Sequence, residues 1–113
     1  MSILNQLSSQ VGDRTETSNR KVAIRCLEDP DLLLDITAGL KEHDAALLAD
    51  CAEVLTKVAQ DHPEFVVPYA DQLPPLLVHK HTRVRWEAAH ALSLVVSLTP
   101  GTISPLLPLL MEN

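Results

Sequence analysis

Histidine, cysteine and serine are the side chains here that could hold a metal ion or attack a substrate. His79 and His81 stand one residue apart, and His90 follows on the next helical stretch. A zinc site needs three or four ligands in fixed geometry, and no cysteine lies near these histidines in the chain. Cys26 and Cys51 each sit among apolar neighbours at helical positions. They read as two buried thiols in a reducing compartment, with a disulfide between them as the alternative. Ser93 and Ser97 lie near His90, but their spacing supplies no nucleophile–base–orienter set. The acidic residues recur at i, i+3 and i+4, the pattern of a solvated helix face. With only 3 Gly in the chain, there is no Gly-rich phosphate loop. The expectation is a non-enzymatic chain with no catalytic residue, no metal and no cofactor.

Composition narrows the class further. A chain of 113 residues, 46% hydrophobic, is long enough for one domain with a real core. Aromatic content is 3%, so the core must be aliphatic, which suits close helix packing better than a β-sandwich. The formal net charge of −6 gives the long-range field the wrong sign for nucleic acid or an anionic membrane. The stretch from Met1 to Gln10 has no basic region and no long apolar run, so a signal peptide is not expected. No stretch is long enough to span a bilayer, and a cytoplasmic protein is expected.

The elements that must position any surface follow from periodicity and punctuation. Ile3, Leu4 and Leu7 predict a short helix over Ser2 to Ser9, broken at Gly12. Asp13 and Glu16 have capping-box spacing ahead of a helix over about Arg14 to Glu28, whose apolar face is Val22, Ala23, Cys26 and Leu27. Asp29-Pro30 starts a third helix with the stripe Leu32, Leu33, Ile36 and Leu40. Asp44 caps a fourth, from about Ala45 to Gln60. Prolines 63, 68, 74 and 75 predict a segment from Pro63 to His79 that is kinked or split near Asp71. Thr82 caps a helix over about Arg83 to Leu98, and an apolar segment from Ile103 to Met111 closes the chain.

The chain also overlays itself at an offset of about 37 residues. Pro63 falls on Pro100, Pro68 on Pro105, Leu47 on Val84, Asp50 on Glu87, Ala52 on Ala89, and Leu55 on Leu92. Starters and apolar stripe match while solvent positions differ, as in a stacking repeat. The run Leu73-Pro74-Pro75-Leu76-Leu77, then Val84-Arg85, then Ala88-Ala89-His90-Ala91-Leu92 resembles the HEAT repeat. The resemblance spans roughly residues 30–113. It implies an all-α, right-handed α-α superhelix of about three helix pairs, with the three-helix armadillo repeat as the nearest alternative. Within a single domain, 1–113, it divides the chain into an N-terminal capping helix pair (1–29), repeats at 30–62 and 63–99, and a half repeat at 100–113. The family's turn Asp is His79 here, and Leu48 stands one repeat earlier than Arg85. The usual Asp–Arg ladder is therefore absent or rearranged.

The resemblance implies that the second helix of each pair lines a concave face. That face would carry Arg83, Trp86, Glu87, His90, Leu94 and Ser97, with Ala46, Ala49, Asp50, Glu53, Lys57 and Gln60 one repeat earlier. The implied role is protein–protein interaction or scaffolding, with Trp86 and Arg83 as the anchor types that dominate interfaces. Two alternatives remain. One is nucleic-acid work of the kind done by HEAT-like DNA glycosylases, which the acidic charge disfavours. The other is self-association or partner contact through the apolar Leu106, Leu107, Leu109, Leu110 and Met111.

Overall fold

The computed structural model describes residues 3–96, and every regular element in that span is helical. A 3-10 turn, Ile3–Gln6, leads into the one-turn helix α1, Ser8–Val11. Leu7 between them is extended, at φ −67° and ψ 153°, so the single helix expected from Ser2 to Ser9 is split. The split lets Ile3 and Leu7 both enter the core, where they are 4% and 0% exposed. Gly12 at φ 74° ends α1, a left-handed conformation that glycine adopts without a Cβ clash.

Helix α2 spans Thr17–Glu28. The capping carboxylate is Asp13, as expected, but its reach differs from a capping box. Asp13 accepts from the backbone N–H groups of Thr15 and Ser18, at 2.8 and 2.9 Å, and from both of their hydroxyls. Those hydrogen bonds hold the Asp13 carboxyl below the ordinary carboxylate range. Glu16 does not reach back to the backbone. It turns outward to Arg20 and Lys57.

The third segment opens with the 3-10 turn Pro30–Leu32, continues as α3, Leu33–Ala38, and closes with the 3-10 turn Gly39–Lys41. Asp29 accepts from the N–H of Asp31 at 3.3 Å, while Pro30 fills a position whose missing N–H costs nothing. Helix α4, Ala45–Asp61, is capped by Asp44, whose carboxylate accepts from the N–H groups of Ala46 and Leu47. The proline-rich segment splits into three pieces: α5, Pro63–Val66, then the 3-10 stretches Val67–Gln72 and Pro74–Val78. The break falls at Leu73, two residues beyond Asp71, where Pro74 and Pro75 withdraw consecutive N–H donors. Helix α6, Thr82–Val96, begins at the residue expected to cap it. The turn before it is closed by Arg85, which donates to the His79 carbonyl at 2.6 Å and to the Thr82 hydroxyl at 3.0 Å.

Helix α4 is the centre of the molecule, flanked by α2 on one side and α6 on the other. It buries Leu48, Ala49, Cys51, Ala52, Val54, Leu55, Val58 and Ala59, an apolar surface that runs almost all the way round. The small side chains of Ala49, Ala52 and Ala59 suit close helix packing, and Val84, Ala88, Ala91, Leu92 and Val95 of α6 belong to the same buried core. The extents are 36 × 31 × 20 Å, so the molecule is about two helix diameters thick. Among the described residues no helix is long and apolar enough to cross a membrane.

Cys26 and Cys51 are both free, and each is 0% exposed. Burial pushes their thiols up, to about 11 and about 12. Gly39 lies against Cys51, and a Cβ there would collide with the Cys51 Sγ and press on a Leu4 methyl at 3.1 Å. Replacing Gly39 with Ala is expected to destabilise the fold by about 1–3 kcal/mol through overpacking, measured as a lower urea midpoint. An unchanged midpoint would mean that the Cys51 side chain moves away freely. A thiol reagent at neutral pH should label neither cysteine until the chain unfolds, with labelling and circular dichroism following the same denaturant curve.

Candidate functional site

The side chains expected on a concave ridge come together at the junction of α2, α4 and α6, but they do not form one solvent-facing row. Asp50 and Ala49 point inward and are each 1% exposed, which overturns their place on the outer face. Position 49 is buried because α4 is packed by α2 and by α6, whereas a two-layer repeat read from sequence leaves that position outside.

Asp50 has its own reason to be buried. Its Oδ2 accepts from the Ser9 backbone N–H at 2.8 Å. Its Oδ1 accepts from the Asn19 side-chain amide at 2.8 Å and from Arg83 Nη2 at 2.9 Å. Asn19 is itself 0% exposed and accepts from the Ser8 N–H at 2.8 Å, tying α1 to α2. Burial alone would raise the Asp50 carboxyl, but the hydrogen bonds from Ser9, Asn19 and Arg83 outweigh it and hold the group below the usual range. Ser8, Ser9 and Asn19 were not legible as partners of Asp50. Their only signal was a buried-side Asn at position 19, in line with Val22, Ala23 and Cys26.

Arg83 spans three carboxylates. Beyond Asp50 it reaches Glu53 Oε2 at 3.4 Å and brings its Nε to 3.9 Å from Glu87 Oε2. The contact with Glu87 within α6 is thus the longest of the three, and the main partner is on α4. Glu53 Oε1 also accepts from Asn19 at 3.1 Å. Glu87 is pushed up to about 7, first by burial and then by the neighbouring Glu53 carboxylate, against the opposing pull of Arg83 and Lys57. Lys57 leans the other way, with its Nζ 3.3 Å from Glu16 Oε2. Glu16 is held low by Lys57 and Arg20.

Trp86 and His90 do face solvent. Trp86 is 74% exposed and makes no core contact, so it is not packed on a neighbouring helix. With Thr82, Arg83, Glu87 and His90 it lines a shallow apolar depression of about 630 Å³. A second groove, about 580 Å³, runs between α2 and α6 over α4. It is lined by Ala23, Ile24, Leu27, Glu53, Thr56, Lys57, Glu87 and His90, among others. The two share Glu87 and His90. Ser97 and the apolar set Leu106, Leu107, Leu109, Leu110 and Met111 lie outside the described residues, as does the half repeat at 100–113. Among the described residues no group of three or more His, Cys, Asp or Glu side chains is placed to hold a metal ion.

Replacing Asp50 with Ala removes the side-chain acceptor of the Ser9 N–H and one of the two acceptors of the buried Asn19 amide, leaving it Glu53 alone, and should cost about 2–4 kcal/mol in denaturant unfolding. A loss below about 0.5 kcal/mol would mean that water reaches the site. The pH dependence has two signs. The folded pKa of Glu87 is raised, so its share of stability is full below its unfolded value and is lost as pH rises through about 7. Asp50 and Glu16 are depressed, so their share is lost as pH falls below the carboxylate range. Stability should peak near pH 5 and fall by about 1–2 kcal/mol toward pH 8. Glu87→Gln should flatten the alkaline side, and a slope that survives the change would assign it to another group. Set beside known protein families, curated proteins and solved structures, the chain matches none.

Proposed function

We propose that this chain is a short HEAT-like solenoid that serves as a cytoplasmic protein-binding module or scaffold, using the face formed by α4 and α6. The observation that carries the reading is Trp86. It is the largest exposed apolar side chain among the described residues, standing beside Arg83 and His90 over an apolar depression. A soluble helical domain gains nothing in stability from a 74% exposed indole. Such a ring gives large, rigid contact area at low entropic cost, which is why Trp and Arg are enriched at interface hot spots. The surrounding carboxylates and the net charge of −6 favour a protein over nucleic acid as the partner.

Arg83 is a poor position to probe, because its removal strips a buried carboxylate of its cation. Trp86→Ala is the clean change: an exposed site whose substitution should leave stability within about 0.5 kcal/mol. Wild type and Trp86→Ala are compared for capture of proteins from nuclease-treated lysate of the source cell. Leu34→Ala serves as a control, being 61% exposed and lining neither groove. The expected result is a protein retained by wild type and by Leu34→Ala and reduced about tenfold or more by Trp86→Ala. Equal retention by all three removes the role assigned to this face.

A further inference from the structure

The groove between α2 and α6 is short of positive charge. Its lining carries four carboxylates, Glu16, Glu53, Asp61 and Glu87, against two cations, Arg20 and Lys57. Both of those cations are drawn to Glu16, at the α2 end. At the other end the one cation among the described residues in ion-pair contact with Glu53 and Glu87 is Arg83, which is 3.4 and 3.9 Å away and is held more closely by buried Asp50 at 2.9 Å. Three carboxylates thus share one guanidinium. The wall beside them is apolar: Ala23 and Leu27 line it, and Ile24 is half exposed. A free ion in water would use only the charge. A polypeptide segment with a basic residue next to aliphatic ones would use both the charge and the wall.

We propose that this groove receives a segment of a partner protein that places one Arg or Lys side chain against Glu53 and Glu87 and lays aliphatic side chains on Ile24 and Leu27. The proposal rests on the protein-binding reading above and names the chemistry of the partner. Charge complementarity selects the occupant: a phosphate backbone or an acidic segment would meet uncompensated carboxylates, whereas a cation relieves them. It also accounts for the state of Glu87 in the free chain. With Glu53 beside it and Arg83 shared, Glu87 holds a proton up to about pH 7. The charged and titratable groups that line the groove with it are Glu16 just ahead of α2, Arg20 from α2, Glu53, Lys57 and Asp61 from α4, and His90 from α6 itself, while Arg83 of α6 lies 3.9 Å away and is shared with Asp50 of α4. An incoming guanidinium or ammonium takes the place of that proton, so binding tightens as pH rises across neutrality.

The test is selection of ligands from a displayed library of random peptides on the full chain at about pH 8, followed by affinity measurements with the synthetic winners. The expected winners carry Arg or Lys beside aliphatic residues. Their affinity should fall about tenfold or more in Glu87→Gln and in Ile24→Ala, and should weaken toward pH 6 in wild type but not in Glu87→Gln. Glu87→Gln mimics the protonated side chain in shape, so the variant should fold, as circular dichroism will show. Winners that depend on Trp86 but lack a basic residue, or that ignore Glu87→Gln, overturn the cation-binding inference and leave the protein-binding face standing. Winners insensitive to Trp86→Ala and Glu87→Gln alike, or no enrichment at all, overturn both.

Discussion

A carboxylate buried in the middle of α4 organises this molecule. Asp50 is 1% exposed, and an ionised group at that depth persists only when its oxygens are hydrogen-bonded and its charge is met. The partners come from three places far apart in the chain: the Ser9 backbone, the Asn19 amide and the Arg83 guanidinium. One side chain therefore fixes the positions of α1, α2 and α6 relative to α4. The apolar packing around it supplies most of the driving force, but aliphatic surfaces slide, and the directional bonds to Asp50 select one register.

The same arrangement creates the surface. Because Arg83 must turn inward to satisfy Asp50, it is only a distant neighbour to Glu87 and a partial one to Glu53. Because Lys57 leans toward Glu16, it does not make up the difference. A shortage of positive charge at the α4–α6 junction is thus a consequence of how the core is closed, and it leaves burial and the neighbouring Glu53 carboxylate free to push Glu87 up. Trp86, one residue earlier on the helix, points away from this cluster to solvent. Structural and surface roles alternate along a single helix: Val84, Ala88, Ala91 and Leu92 pack, while Arg83, Trp86, Glu87 and His90 face the grooves.

Much of this is written in local chemistry. Asp29, Asp44 and Gly12 announce helix boundaries through hydrogen-bonding reach and backbone freedom, and the structure uses each of them there. The apolar stripes of α2, α4 and α6 follow from spacing alone, and their members are buried or partly buried. The split near Asp71 is legible because proline withdraws a donor wherever it stands. Glu16 misleads because a capping box and a surface ion pair have the same spacing, and only the position of Lys57 on another helix decides between them.

The amino-acid order by itself determines that the chain is helical, where most helices begin and end, and which face of each is apolar, since these depend on interactions within a few residues. It also brings Arg83, Glu87, Asp50, Glu53 and Lys57 into one candidate set. The tertiary structure alone decides that Asp50 is a buried hub rather than a surface residue, that Ser9 and Asn19 are its partners, and that Arg83 is committed to it. It alone leaves Trp86 in solvent and Glu87 short of a cation. The reason is physical: periodicity describes one helix against an average core, whereas burial and ion pairing depend on how many neighbours close around it, and α4 has them on two sides.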